Sequence, residues 1–355
     1  MKAIVWTGEL EVRDDVEVRD IRANEVRVRI HAAGLCHSDV SVVNGTIPFP
    51  PPVVLGHEGA GVVEQIGDAV TKVKVGDHVV LTTLGNCGKC DACDRGQPTH
   101  CRDTAGKLSR PFTVGGEKAF QFANAGVFAE HTVVNETQAV VIDPDVPLAS
   151  ASLIGCAVLT GTGAVLNRAK PRIGQSALVI GIGGIGLNVL QGLALSGCGP
   201  IIAVDANPAK EAASRQFGAT HFIAAGPDVD TAEAVKAICP TGVDFAFECV
   251  GHPALIRQSI DLLDWGGSCV LLGVPKFGSE ASFVVNTLYN DKSILGCRYG
   301  SARPHHDIPL FVKLYKEGKL KLDELVSARF QPEQVQDALD AMHDGGLNRA
   351  VLDFV

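Results

Sequence analysis

The stretch NCGKCDACDRGQPTHC, residues 86–101, carries four cysteines, Cys87, Cys90, Cys93 and Cys101, at the spacing C-x2-C-x2-C-x7-C. Four thiolates gathered by short loops match the tetrahedral preference of zinc. The residues between them are chiefly Gly, Lys, Asp, Arg and Pro, which cannot build a core, so a metal is what would order the lobe. Nothing in the spacing leaves a coordination position open, and a closed structural site is expected. Iron–sulfur clusters use similar spacings and are the rival occupant.

Other residues could ligate a metal from distant positions. GLCHSD places Cys36 after a strand and a glycine, LGHEGAG places His57 and Glu58 between glycines, and LIGCAVLTG places Cys156 where a β-rich region meets an α/β region. Two thiolates and an imidazole make a three-ligand zinc site with one place free. Taken one at a time, each has a plainer reading: a cysteine as a small buried apolar residue, a histidine as a structural one.

A third motif is VIGIGGIG, giving Gly181, Gly183, Gly184, Ile185 and Gly186. It follows an uncharged strand and opens a helix, the context a dinucleotide fingerprint requires. The first glycine permits the tight turn, the second lets backbone approach a pyrophosphate, and the third lets helix and strand pack closely. Unpaired N–H groups at the helix start then face the phosphates. Asp205 closes the next strand, where a carboxylate accepts hydrogen bonds from ribose hydroxyls and repels a 2′-phosphate. NAD is therefore expected over NADP.

The elements that must hold these groups come in two kinds. Up to about residue 150 the chain reads as β: EVRVRIHAAG alternates Val26, Val28 and Ile30 with charged residues, and AGVVEQIG and GDHVVLTT are short strands bounded by glycines. The proline-rich 47–56 is expected to hold no regular structure. From about 160–175 strands alternate with helices, which means a parallel, doubly wound sheet. Helices are expected at 208–217 with Asn207 as cap, near 253–264, near 307–317 and at 332–344, before a closing strand RAVLDFV. Domains are placed at 1–157 with 299–355, and at 158–298.

With 355 residues, two domains are the natural prior. A net charge of −9 leaves no basic surplus for nucleic acid or an anionic membrane. Residues 177–204 carry no charge, but their glycines and Pro200 break them into pieces too short to span a bilayer. The N-terminus turns charged after four apolar residues, unlike a secretory signal. A cytoplasmic location with reduced thiols is expected. Cys198, Cys239, Cys249, Cys269 and Cys297 are read as buried small residues.

Taken together and in order, GLCHSD, GHEGAGVVEQIG, the four-cysteine lobe, GCAVLTG and GIGGIG…VDANPAK resemble the zinc-containing alcohol dehydrogenases of the medium-chain dehydrogenase/reductase family, over essentially the whole chain. The resemblance implies a GroES-like, mostly β catalytic domain beside a Rossmann domain. It implies two zinc ions, a catalytic one on Cys36, His57 and Cys156 and a structural one on the lobe, with NAD as cofactor. It places Ser38 as the hydroxyl that takes the alcohol proton, Asp39 as the carboxylate orienting His57, and Glu58 beside the metal. It sets His37 and Arg349 on the pyrophosphate, Thr160 on the nicotinamide, Lys210 on the adenosine ribose, and Ile185 and Val274 on the nicotinamide side. Arg298 aligns near the outer pocket, as a reader of a polar substrate group or as a cofactor-edge or interface residue.

Three positions depart from the family pattern. Ser41 stands where many relatives carry a relay histidine. Thr83 stands where an aromatic residue often narrows the inner pocket, so a bulky or aromatic primary alcohol is expected as substrate. Ala105 stands where relatives acting on glutathione adducts carry arginine, which counts against a thiol-adduct formaldehyde dehydrogenase of glutathione or mycothiol type. A secondary-alcohol or polyol dehydrogenase is a further alternative. A non-catalytic binding protein would have lost a ligand or the relay hydroxyl, and Cys36, Ser38, His57 and Cys156 are all present. By resemblance a homodimer is expected, with a tetramer as alternative.

Overall fold

The computed structural model describes residues 1–104 and 106–355; Ala105 lies outside the described residues. The chain divides into a unit of Met1–Ala157 with Arg303–Val355 and a unit of Val158–Ala302. The return to the first unit falls at Arg303, four residues beyond the sequence-based boundary. A short turn at Tyr299–Ser301, held from Leu159 and Gly163 through Gly300, keeps those residues with the second unit.

The spine of the first unit is the strand Glu25–Leu35. Val26, Val28 and Ile30 are fully buried while Arg27 and Arg29 face outward, the alternation expected of a half-buried strand. Three strands pair with it antiparallel: Glu58–Ile66, with Gly34 opposite Glu58, His131–Asn135, and the C-terminal Arg349–Asp353, with Ala350 opposite Leu35. His78–Leu81 adds to Glu58–Ile66, with Leu81 opposite Gly59. The C-terminal strand thus reaches the same sheet end as Glu58.

A second sheet of this unit corrects the reading of 47–56. Val53–Val54 is a two-residue strand, antiparallel to Ala3–Trp6 and parallel to Glu117–Gln121. Proline cannot donate to a ladder, but the run ends at Pro52. The Pro52 carbonyl accepts from the Phe120 amide at 2.8 Å, and the chain beyond it has free amides.

The second unit is a six-stranded parallel sheet in the order His221–Ala224, Ile201–Asp205, Ala177–Ile180, Val243–Glu248, Leu263–Leu271, Ser293–Gly296. Strand order reverses between Ala177–Ile180 and Val243–Glu248, and this switch point is where such sheets bind ligands. The uncharged 177–204 resolves into strand, glycine turn, the helix Gly184–Leu195 and strand. Among the described residues no single helix is long and apolar enough to cross a membrane.

Helix ends shift from their expected places for local reasons. The helix expected at 208 begins at Lys210, because the Asn207 side chain accepts from the Ala209 amide and forms a turn ahead of it. The helix near 307 starts at Pro304, where Asp307 accepts from the Arg303 amide at 2.8 Å. That near 253–264 ends at Asp261 and that near 332–344 spans Val335–His343. Of the five unassigned cysteines only Cys239 and Cys269 are buried. Cys198, Cys249 and Cys297 are half-buried because they sit in turns beyond a helix or strand end.

Gly61 shows how tightly the first unit's sheet is closed. A Cβ there would strike the Arg29 carbonyl of the spine strand, where the pairing register slips between Ile30 and Ala32. Gly61→Ala is expected to lower stability by about 1–3 kcal/mol, read as a drop in the thermal midpoint of the zinc-replete protein. An unchanged midpoint would show that the strands part there freely.

Candidate active site and metal centres

Cys36 is the residue at which the spine strand becomes the helix His37–Val43, its own backbone still extended. Asp39 in the first turn reaches back, and one carboxylate oxygen accepts from the Cys36 amide at 3.1 Å. The other oxygen accepts from the Gly56 amide at 3.0 Å and lies 3.3 Å from His57 Nδ1. Asp39 is 1% exposed, so one buried carboxylate ties two ligand-bearing segments together. It fixes the ring so that Nε2 is the nitrogen free to ligate. Phe122 packs edge-on against the same ring, centroids 5.4 Å apart; nothing in the sequence marks that residue.

Glu58 stands opposite Gly34, and the pairing works only because Gly34 has no side chain. A Cβ there would meet the Glu58 carboxylate and, at 2.5 Å, Leu153. Cys156 caps the short turn Leu153–Gly155, and a Cβ on Gly155 would strike the Leu81 carbonyl. Bare backbone therefore seats Cys156 on the sheet. The donor atoms of Cys36, His57, Glu58 and Cys156 all lie within 4.8 Å of one another, and all four residues are buried. The Ser38 hydroxyl is 3.9 Å from the Cys36 sulfur.

Electrostatics at this cluster favour a cation. The hydrogen bond with Cys156, aided by His57 and Arg349, holds the Cys36 thiol well below its ordinary value, while that shared proton and burial push Cys156 up. Burial would lower His57, but Asp39 and Cys36 raise it. Burial pushes Glu58 up to about 7 against the pull of Arg349. Two thiols and a carboxylate crowded in a buried cluster cannot all ionise without a counter-charge, and a divalent metal would supply one. The residues present fit zinc.

Arg349, expected on the pyrophosphate, is buried here with its guanidinium paired to the Glu58 carboxylate. His37 is exposed at the start of its helix, and Ser41 is half-buried, its carbonyl accepting from the Ile47 amide at 2.8 Å. Thr83 is buried beyond the end of His78–Leu81.

The lobe has a second cluster. The sulfurs of Cys87, Cys90, Cys93 and Cys101 also lie within 4.8 Å of one another, with Cys90 and Cys93 3.5 Å apart and Cys87 and Cys93 4.0 Å apart. That is too long for a disulfide and close to the ~3.8 Å edge of a tetrahedron of sulfurs around zinc at about 2.3 Å. The Cys87 backbone amide points at the Cys101 sulfur at 3.4 Å and the Asn86 side-chain amide at the Cys93 sulfur at 3.6 Å, as expected around thiolates.

In the second unit the three glycines divide the work as the motif implies. Gly181 has φ +92°. A Cβ on Gly183 would meet nothing within 4 Å, which leaves backbone open to a ligand, and one on Gly186 would strike the Gly181 carbonyl. Gly184 and Ile185 form the first turn of the helix. Asp205 braces this loop by accepting from the Ile182 amide at 2.7 Å and from the Asn207 amide at 2.9 Å. Lys210 is buried nearby, its pKa lowered by burial with Asp205 opposing. Thr160 is buried in the helix Ala157–Gly163, which Gly161 seats against the Ile185 carbonyl. Val274 is exposed, and the Arg298 guanidinium lies over the Tyr299 ring at 5.5 Å.

One unit holds a parallel sheet with a phosphate-ready glycine turn, and the other a buried Cys2His-carboxylate cluster and a four-thiol lobe; together in one chain these are the parts of a zinc-assisted nicotinamide oxidoreductase. Residues 22–144 match the alcohol dehydrogenase GroES-like domain and residues 184–317 the zinc-binding dehydrogenase domain. The S-(hydroxymethyl)glutathione dehydrogenase of Photobacterium damsela subsp. piscicida is 36% identical, over 96% of this chain and 95% of that one. The alcohol dehydrogenase class-3 of Cereibacter sphaeroides is also 36% identical, with the same coverage. The crystal structure of benzyl alcohol dehydrogenase from Acinetobacter calcoaceticus is 34% identical, superposes with a TM-score of 0.93, and covers 100% of this chain and 99% of its own. The chain belongs to the zinc-containing alcohol dehydrogenases of the medium-chain dehydrogenase/reductase family. It is an oxidoreductase acting on CH–OH donors, with zinc and a nicotinamide cofactor.

Metal analysis separates the two clusters. Wild-type protein is expected to hold two equivalents of zinc, and Cys156→Ala and Cys90→Ala one each. The Cys156 variant should keep its thermal midpoint more nearly than the Cys90 variant, since zinc is what orders the lobe. Two equivalents retained in either variant would contradict these ligand assignments.

Proposed function

We propose that the enzyme oxidises a bulky or aromatic primary alcohol to its aldehyde with NAD, and runs the reverse reduction. The observation that carries the oxidation is the convergence of Cys36, His57 and Cys156 with the Ser38 hydroxyl 3.9 Å from the Cys36 sulfur. Zinc held by Cys36, His57 and Cys156 would supply a Lewis acid that makes an alcohol proton easier to lose, and the nicotinamide a hydride acceptor. Ser38, half-buried on the first turn of its helix, takes that proton and passes its own outward. Asp39 keeps His57 in one tautomer. Ser41 offers no imidazole, so no side chain at that position takes the proton on from Ser38. Glu58 stays beside the ligands, its charge balanced by Arg349.

NAD is favoured over NADP by Asp205, whose carboxylate sits at the strand end and would face a 2′-phosphate. Support for an aryl alcohol comes from Thr83, small where the family often has an aromatic ring, and from the full-length likeness to benzyl alcohol dehydrogenase. A second reading, oxidation of a thiol–formaldehyde adduct, is favoured by the names of several relatives. None of the eleven cysteines is in a disulfide, which suits a cytoplasmic protein. Ser293–Gly296 ends its sheet as an edge strand, and Phe277, Val285 and Tyr289 before it are largely exposed, which supports a homodimer through that edge.

The deciding assay follows NADH formation at 340 nm by zinc-replete enzyme with benzyl alcohol, ethanol, and formaldehyde plus glutathione. Benzyl alcohol is expected to give the highest kcat/KM, and NADP in place of NAD a much lower one. The thiol adduct giving the highest value would make the second reading the right one.

The relay is tested with Ser38→Ala. It is expected to lower kcat by about 10²–10⁴-fold while two equivalents of zinc remain bound. Unchanged turnover would mean that the proton leaves by another route.

A further inference from the structure

The helix Gly184–Leu195 opens at the glycine turn and is buried along most of its length, with Leu187, Val189, Leu190 and Leu193 fully so. Within that apolar setting it carries two amides, Asn188 and Gln191, 0% and 4% exposed. Asparagine is a poor helix former, and a buried amide costs free energy unless it is paired. Leucine has the same branched outline as asparagine and would suit both the helix and the core.

The two amides are joined end to end. Gln191 Nε2 donates to Asn188 Oδ1 at 2.6 Å, and Asn188 Nδ2 donates to the Gly184 carbonyl at 2.7 Å. A carbonyl can only accept, which fixes the sense of the chain. The Gly184 carbonyl shares its peptide plane with the Ile185 amide. Ile185 is the second residue of the helix, so this amide has no partner within it. At a glycine turn of this kind it is among the donors that meet the phosphates. The neighbouring helix holds Asn188 in place. The Thr162 hydroxyl donates to the Asn188 carbonyl at 3.1 Å, and a Cβ on Gly161 would strike both the Ile185 carbonyl and Asn188 Cβ.

We propose that Asn188 and Gln191 are positioning residues for the cofactor's pyrophosphate, a side-chain relay that fixes and polarises the Gly184–Ile185 peptide. Each bond of the relay runs in the same sense as the backbone bonds of the helix, its N–H aimed towards the N-terminus, so it adds to the positive end of the helix dipole. Hydrogen bonds joined in series polarise one another, more so where water is excluded. The diphosphate is common to NAD and NADP, so the relay serves either, whichever alcohol is oxidised.

The test measures dissociation constants for NADH, ADP-ribose and adenosine on the zinc-replete enzyme, by fluorescence and calorimetry. Asn188→Leu combined with Gln191→Leu removes the relay without stranding either amide. It is expected to weaken NADH and ADP-ribose by a common factor on the order of tenfold, and to leave adenosine, which has no phosphate, within about twofold. Asn188→Ser keeps a donor for the Gly184 carbonyl, since a serine hydroxyl in a helix bonds the carbonyl four residues back. It should bind all three nearly as wild type does. Stability should run the other way. The double leucine variant should keep or raise the thermal midpoint of the cofactor-free protein, while the serine variant, which opens a cavity, should lower it. Should the leucines not fit, Asn188→Ala against Asn188→Ser makes the same comparison, alanine losing the donor and the phosphate-dependent affinity, serine keeping both. Wild-type affinity for NADH and ADP-ribose in the double variant, an equal loss for adenosine, or a serine variant as weak as the one that lacks the donor each overturns the relay. These measurements use no alcohol, so they stand or fall separately from the substrate assay.

Discussion

A single buried carboxylate organises the first unit. Asp39 accepts from the amides of Cys36 and Gly56 and holds the ring of His57, using both oxygens and almost no solvent. Burying a carboxylate is costly unless it is hydrogen-bonded on every side, and here the bonds come from two segments separated in sequence by the whole helix and the proline run. The carboxylate is satisfied only when the strand-to-helix turn at Cys36 and the approach to His57 lie side by side. Its place in the first turn also suits the positive end of the helix. The metal ligands are therefore arranged by folding itself.

A second buried charge joins the chain's two ends. Glu58 enters the cluster because Gly34 leaves room for it, and Arg349 comes from the strand that closes the sequence. Ala350 lies opposite Leu35, which sets Arg349 beside Cys36. Breaking such a pair from one side strands a buried charge at a cost of about 3–5 kcal/mol. The C-terminal strand, held between the spine strand and Val326–Phe330, thus does more than extend the sheet, since it neutralises a site whose other members come from the first 157 residues. That dependence gives a physical reason for a chain that leaves its first unit, builds a complete parallel sheet, and returns.

Much of this was legible in the residues, and what was legible was local. The lobe cysteines lie within fifteen residues of one another, so their spacing carries their geometry. The glycine turn is a single strand–loop–helix step, and each glycine has the role its position implies. Non-local register was far less readable. Arg349 was traced to the cofactor phosphates by resemblance, while its pairing with Glu58 depends on how two distant strands align. Phe122 meets His57 through a connection with no signature. The strand Val53–Val54 was hidden by prolines that end one residue too early to block it. The helix expected at Pro208 begins later because Asn207 spends its side chain on a turn.

Substrate choice is the least legible property, and the comparisons show why. Relatives named for a glutathione adduct and for benzyl alcohol stand at 36% and 34% identity, each over nearly the whole chain. Identity summed over a whole chain is dominated by the framework, so it is blind to the few side chains that meet the alcohol. Those side chains are not required for folding and leave no periodicity to read. They show themselves instead as local misfits, polar atoms buried without a partner in an otherwise satisfied core. Most such atoms here belong to ion pairs or to distant parts of the sheet. Thr83 is neutral, is buried just beyond the strand His78–Leu81, and has a neighbour whose own hydroxyl accepts from the Leu84 amide.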